Sequence, residues 1–243
     1  MSAAAACLLL AVGSAQSQVI NFDVPGATGE TSLFGGGTYN LGVNYLGQGA
    51  LSDPGNDYWN PVVFSGTTSG GLLSDGVTSS SITLSEVGLG GVYAGNNYGA
   101  NVTQGTPPAL FTPFGYAGGG STVTLTLNNV ASGTYNLYLY GQNGSDSSPN
   151  FDAFTVGATT LDTSAHGAGI SSFFANLNFV EFTGIAPSAG SVVITLTSPG
   201  ECDFNGLQLQ VAPVPEPGTY VLAGVGLISL VGLRSLKRRQ RAS

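Results

Sequence analysis

The chain has 243 residues, room for one large domain or two small ones. Only 7% of them are charged, against roughly 25% in ordinary soluble domains, yet a 42% hydrophobic content with dispersed aromatics excludes intrinsic disorder. All five Lys and Arg fall in the last ten positions, while all 13 Asp and Glu lie at or before Glu216. A body without cations cannot neutralise phosphates, which excludes nucleic acid as a partner. It also lacks an Arg fork for carboxylate or phosphate groups. Sugars, divalent cations or no ligand at all remain.

The first element is an apolar stretch from Ala3 to Val12, followed by small and polar residues. Ala15-Gln16-Ser17 is a small-x-small site, so residues 1–17 read as a signal peptide cleaved between Ser17 and Gln18. The segment departs from the usual pattern in having no Lys or Arg before its apolar core. Cys7 lies inside it, which leaves Cys202 as the single cysteine of the processed chain and excludes an intramolecular disulfide.

Residues 18–212 form the body. Alternating apolar and polar residues recur about every ten positions: VINFDV (19–24), TYNLGVNYL (38–46), SITLSEV (81–87), STVTLTLN (121–128), TYNLYLYG (134–141), DAFTVG (152–157), NFVEFTG (178–184), SVVITLTS (191–198) and NGLQLQV (205–211). Turn signals such as Ser132-Gly133, Asn143-Gly144 and Pro199-Gly200 separate them. No helical period competes within this region. The pattern predicts an all-β antiparallel sandwich, because alternating strands need two inner faces to bury their apolar sides.

Two aromatic groups in the body invite a ligand reading. Asp57, Tyr58, Trp59 and Asn60 could stack on a sugar ring and bond its hydroxyls, and Tyr138 with Tyr140 could add an aromatic platform for polysaccharide. Packing is the leading account of the same residues: Trp59 plugging the core, Asn60 capping a turn, and strand 134–141 buried on both faces. Tyr138 and Tyr140 fall on the face opposite Tyr135, Leu137 and Leu139.

Catalytic provision is thin. The only His is His166, no Gly-x-Ser-x-Gly elbow announces a nucleophile, and zinc ligands are scarce. The expectation is a non-enzyme; the alternative is a secreted polysaccharide-active hydrolase using paired carboxylates, whose separation a sequence does not reveal. No cofactor is implied. Asp53 with Asp57, Asp146 with Asp152, and Glu201 with Asp203 offer oxygens for a structural Ca²⁺, without defining a ligand set. Thr122, Thr124 and Thr126 make an outward threonine ladder, a feature of ice-binding faces, although one strand is not an array and Thr suits any solvent-side strand.

Residues 213–243 form the tail. Tyr220 to Leu233 is a run of 14 residues without a charge. As a helix it spans about 21 Å, short of the roughly 30 Å hydrocarbon core. Arg234, Lys237, Arg238, Arg239 and Arg241 follow and would hold that end in the cytoplasm. Val214-Pro215-Glu216-Pro217-Gly218-Thr219 precedes the run, two prolines keeping the strip extended and outside the helix.

Motif, short span and basic end together resemble the PEP-CTERM protein-sorting signal, a segment also catalogued as an ice-binding protein C-terminal domain. The resemblance implies an exported protein of a Gram-negative bacterium that makes extracellular polysaccharide. It implies recognition of Pro215, Glu216 and Pro217 by an exosortase-type membrane transpeptidase after a transient stay in the inner membrane. The mature protein would then reside at the cell surface or in the extracellular matrix, with polysaccharide as a partner. In the body, TLTLNNVASGTYNLYLYGQNG (124–144), NFVEFTG and the final NGLQL strand resemble galactose-binding-like jelly rolls. That resemblance implies the fold, with a structural or carbohydrate-binding role as its corollary.

Overall fold

The computed structural model describes residues 18–24, 46–47, 49–51, 57–62, 66–68, 71–93, 110–111, 114–142, 151–164 and 173–213. The signal segment, the sorting motif, the apolar run, the basic cluster, His166, Asp53, Asp146 and most of the 38–46 strand lie outside them. Among the described residues no helix is long and apolar enough to cross a membrane.

Two sheets face each other. The first has five strands: β1 (Val19–Asp23), β4 (Asn60–Pro61), β10 (Tyr135–Tyr140), β13 (Phe179–Ile185) and β16 (Gly206–Val211), in the order β13-β10-β16-β1-β4. The second has six: β5 (Thr67–Thr68), β6 (Thr83–Val87), β9 (Thr122–Asn128), β11 (Ala153–Val156), β12 (Thr159–Asp162) and β14 (Val192–Thr197), in the order β12-β11-β14-β9-β6-β5. From β9 to β16 the chain repeatedly crosses between the two sheets, as in a jelly roll. Pairing is antiparallel throughout both, except where β4 joins β1 in parallel. Two small sheets flank them: β2 (Leu46–Gly47) with β3 (Asp57–Tyr58), and β7 (Gly91–Tyr93) with β8 (Phe114–Ala117) and β15 (Cys202–Phe204).

The period-2 pattern builds the core directly. Val123, Leu125 and Leu127 of β9, with Ile194 and Leu196 of β14, point inward from the six-stranded sheet. Ile20 and Phe22 of β1, Leu137 and Leu139 of β10, and Leu207 and Leu209 of β16 meet them from the other side. The apolar interior thus closes between two alternating faces, as the sequence predicts. Eight of the nine predicted strands coincide with observed ones to within two residues at each end. The additional strands are mostly two to four residues long, too short to carry a readable alternation.

The outer face of the six-stranded sheet carries the threonine ladder. Register sets Thr124 beside Thr195, Thr195 beside Thr155, and Thr155 beside Thr160, so one row of threonines crosses four strands. The Thr155 and Thr160 hydroxyls lie 2.8 Å apart, and those of Thr67 and Ser85 lie 3.0 Å apart. Leu137→Ala should cost about 2–5 kcal/mol by opening a cavity between the sheets, whereas Thr195→Ala should stay within about 0.5 kcal/mol. Urea unfolding midpoints of the two variants check this; similar midpoints would contradict the assignment of inner and outer faces.

Candidate functional site

The outer face of the five-stranded sheet differs from that of its partner because it is roofed. Register aligns Asn21, Gln208, Tyr138 and Glu181 in one row, and Asp23, Gly206, Tyr140 and Phe179 in the next. Above these rows lie Trp59, Leu110 and Phe111, with Ala50, Leu51 and Phe173 packed against them. Gly206 makes this approach possible: a Cβ there would stand 2.6 Å from the Phe22 carbonyl oxygen and 3.4 Å from the Trp59 ring.

The rings pack edge to face, the arrangement their quadrupoles favour. Trp59 meets Tyr140 at 6.1 Å between centroids and 65°, and Phe173 meets Tyr140 at 5.6 Å and 64°. Phe111 and Phe179 complete the surround of Tyr140 at 6.2 and 5.9 Å. Trp59 and Tyr140 have no accessible surface.

Polar groups caught under this roof are hydrogen-bonded in series. The Tyr140 hydroxyl donates to Gln208 Oε1 and accepts from the Ala50 amide at 2.7 Å. Gln208 Oε1 also accepts from the Leu51 amide at 3.3 Å, while its Nε2 donates to Asn21 Oδ1 at 2.9 Å. Asn21 Nδ2 donates to the Tyr58 carbonyl at 2.9 Å. Asn60 Nδ2 reaches the Asn21 and Leu72 carbonyls at 2.9 and 2.8 Å, and its Oδ1 accepts from the Leu72 amide. Such a chain satisfies groups whose burial would otherwise be costly.

The six residues read as glycan candidates are therefore brought together, but under cover. Trp59, Asp57, Asn60, Tyr138 and Tyr140 are buried; Tyr58 alone is half-buried. A sugar stacks only on a ring face open to solvent, so direct stacking at this cluster falls to Tyr58. Asn60 does more than cap a turn, since it ties β1 to the backbone of Leu72. Trp59 fills the second, outer core rather than the space between the sheets. Tyr138 donates to Glu181 Oε1 at 2.8 Å, and burial followed by that carboxylate pushes its pKa up.

Acidic groups converge elsewhere. The Asp203 amide donates to Asp152 Oδ1 at 2.8 Å, beside Gly141, and both side chains are fully buried. No polysaccharide chain reaches carboxylates in that position. Burial, then Asp152 and Asp203, push the adjacent Cys202 thiol up to about 12, so it stays protonated and weakly nucleophilic near neutrality. Glu201 lies on the neighbouring turn, half-buried. Among the described residues no three His, Cys, Asp or Glu side chains gather as metal ligands.

The sequence offered no sign of Gln208 and Asn21 as site residues, because alternation with Leu and Ile marks them as solvent-facing. Asp23 carries the same pattern yet is fully buried, and burial holds its pKa well above the carboxylate range, with the Val24 amide offsetting part of the effect.

Residues 213–239 match the PEP-CTERM protein-sorting motif. The match covers the tail alone, and it marks the chain as an exported protein. No curated protein matches the sequence. Among solved structures, TmCBM61 in complex with beta-1,4-galactotriose is 12% identical over 53% of this chain and 83% of its own, with a TM-score of 0.29. CBM35 from Cellvibrio japonicus Abf62 is 13% identical over 52% and 91%, with a TM-score of 0.30. An exo-beta-1,3-galactanase from Phanerochaete chrysosporium with galactose is 16% identical over 57% of this chain but only 32% of its own, at a TM-score of 0.30.

Two outcomes follow from this geometry. Tyr140→Phe should lose about 1–3 kcal/mol, since the Ala50 amide and Gln208 both lose a buried partner; urea denaturation measures it, and an unchanged midpoint would show that the roof does not depend on the phenol. The second concerns pH. Because the folded-state pKa of Asp23 is raised, its penalty is absent below the unfolded value of about 3.9 and grows as pH rises through the folded value. Asp23→Asn should therefore gain on the wild type as pH rises from 4 to 7, and parallel stability curves over that range would refute the assignment.

Proposed function

We propose that this is a structural or carbohydrate-binding component of the cell surface or of an extracellular polysaccharide matrix, delivered there by its tail. The observation that carries the reading is the PEP-CTERM motif at residues 213–239 attached to a β-sandwich whose sequence holds no Lys or Arg. An exosortase-type transpeptidase would engage Pro215, Glu216 and Pro217 while Arg234, Lys237, Arg238, Arg239 and Arg241 keep the far end in the cytoplasm. The short apolar span suits a stop that is held transiently and then removed.

The body supports the same role through its surfaces. The row Thr124, Thr195, Thr155 and Thr160 belongs to an outer face that presents hydroxyls and methyls, with Asp162 on the edge strand β12. A face whose only charge is Asp162 at its edge is compatible with a hydrated neutral polymer, and the acidic body keeps copies of itself apart.

Intact-mass measurement of the native protein, from cells with and without the sorting enzyme, tests the proposal. The expected mature species starts at Gln18 and lacks Leu236 to Ser243, and only cells that have the enzyme produce it. A surface-located species that retains Leu236 to Ser243 in both backgrounds would sink the processing step and leave a tail-anchored protein.

A further inference from the structure

A second concavity lies away from the roofed face, where β1 begins and β16 ends. Its volume is about 230 Å³. Ile20, Leu73, Ile82 and Leu209 supply an apolar floor, and the Tyr135 ring closes one side. The rim side chains are polar and uncharged: Gln18, Ser79, Ser80, Ser81 and Asn129.

The walls are held by backbone pairing rather than left to loop motion. One wall is the strap at residues 71–82. It is tied to β1 by the Ile20–Leu73 bridge and by the Ser74 amide donating to the Val19 carbonyl at 2.8 Å. It closes on itself through the Leu72–Ser79 bridge and the Ser80 amide bonding to the Gly71 carbonyl at 2.7 Å. Asp75 Oδ1 accepts from the Val77 and Thr78 amides at 2.9 and 2.8 Å, fixing its turn. The other wall is the β9–β10 turn, joined to the strap by Asn129 Nδ2 donating to the Ser81 carbonyl at 3.1 Å. Tyr135 is anchored there by its hydroxyl, which donates to the Ala131 carbonyl at 3.0 Å. A site organised in this way loses little entropy on binding.

The hydrogen-bonding state of the rim is specific. Ser80 Oγ accepts from the Ile82 amide at 3.1 Å, which leaves its proton to donate outward. Tyr135 Oη has already given its proton and retains lone pairs to accept. Among the described residues, the Ser79 and Ser81 hydroxyls and Asn129 Oδ1 have no protein partner. Donors and acceptors are therefore interspersed around an apolar floor, with no charged side chain in the lining.

A pyranose presents the complementary surface: a C–H face for the floor and a ring of hydroxyls, each both donor and acceptor, for the rim. No Lys, Arg or His side chain lines the cavity, so the one cation an anionic sugar would meet is the α-ammonium that cleavage after Ser17 would leave on Gln18. The volume holds on the order of eight waters at ~30 Å³ each and falls below the ~300–1,000 Å³ of drug-sized sites, which suits it to about one sugar ring, the rest of a chain lying outside in solvent. We infer that this cavity, lined by Ser79, Ser80, Ser81, Asn129 and Tyr135, binds a single uncharged sugar unit at the end of a neutral glycan. The inference rests on the carbohydrate-binding reading of the body and gives that reading a site.

Isothermal titration of the full chain with neutral and acidic mono- and oligosaccharides tests it. Ser79 and Ser81 are exposed, so substitutions there should leave the unfolding midpoint unchanged, and this is measured alongside. At least one neutral sugar should bind saturably. The Ser79→Ala/Ser81→Ala double variant should bind it roughly tenfold more weakly, as expected for two lost hydrogen bonds. Ser81→Trp should abolish binding by filling the cavity, while Thr195→Ala should not alter it. Undiminished binding to Ser81→Trp would overturn this site and leave the carbohydrate-binding body standing. Preference for acidic sugars would overturn the neutral-glycan assignment. No binding of any sugar would overturn both and leave a structural scaffold.

Discussion

Gln208 stands on the middle strand of the five-stranded sheet, and the burial of both faces of that sheet depends on how its side-chain amide is satisfied. Its oxygen takes the Tyr140 hydroxyl and the Leu51 amide, and its nitrogen donates to Asn21. Those bonds draw the 49–51 segment onto the sheet so closely that a Cβ at Gly49 would stand 2.0 Å from Gln208 Oε1. With the segment in place, Trp59, Phe111 and Phe173 close over Tyr140 and form a second core. Removing the amide would take a partner from two donors, the Tyr140 hydroxyl and the Leu51 amide, and from one acceptor, Asn21 Oδ1, on three separate segments, a larger loss than one hydrogen bond.

A chain that keeps its cations in its last ten residues has to manage its acids without ion pairs. The body does so by hydrogen bonding and burial. Glu86 accepts the Leu89 amide at 2.6 Å, Asp152 accepts the Asp203 amide, and exposed Asp75 accepts the Thr78 hydroxyl and then the Thr78 and Val77 amides, which lowers its pKa. Asp23 is the costly member of the set, because burial raises its pKa with little to offset it. Neutral surfaces between these acids follow from the same composition, and both the threonine face and the Ser-rimmed cavity are examples.

The two sheets thus have different duties. The five-stranded sheet is covered on both sides over its central strands, whereas the six-stranded sheet leaves one face open. The concavity arises where strands of the first sheet, the strap and the β9–β10 turn meet, since an apolar floor there comes with a loop-derived polar rim. Placement at the end of the sandwich keeps it clear of the aromatic roof and of the buried Asp152–Asp203 pair.

Much of the fold was legible from local pattern. Period-2 alternation located eight strands, assigned Leu137 and Leu139 to one face and Tyr138 and Tyr140 to the other, and pointed to a sandwich. The VPEP strip with its apolar run and basic end pointed to a sorting tail in the same way, because each is a contiguous signal. Alternation separates two faces of a strand without saying what covers either one, so Asn21, Asp23 and Gln208 read as solvent-facing although they are buried. Nor could it show that Thr124, Thr195, Thr155 and Thr160 fall in one row, or that Ser79–Ser81 stand opposite Asn129 and Tyr135. The sequence by itself determined the class of fold, the absence of cationic side chains from the body and the presence of an export signal, all of which depend on composition and short-range order. Only the tertiary structure decided which aromatic rings are sealed and where a neutral cavity opens, because register and loop placement join residues that are distant along the chain.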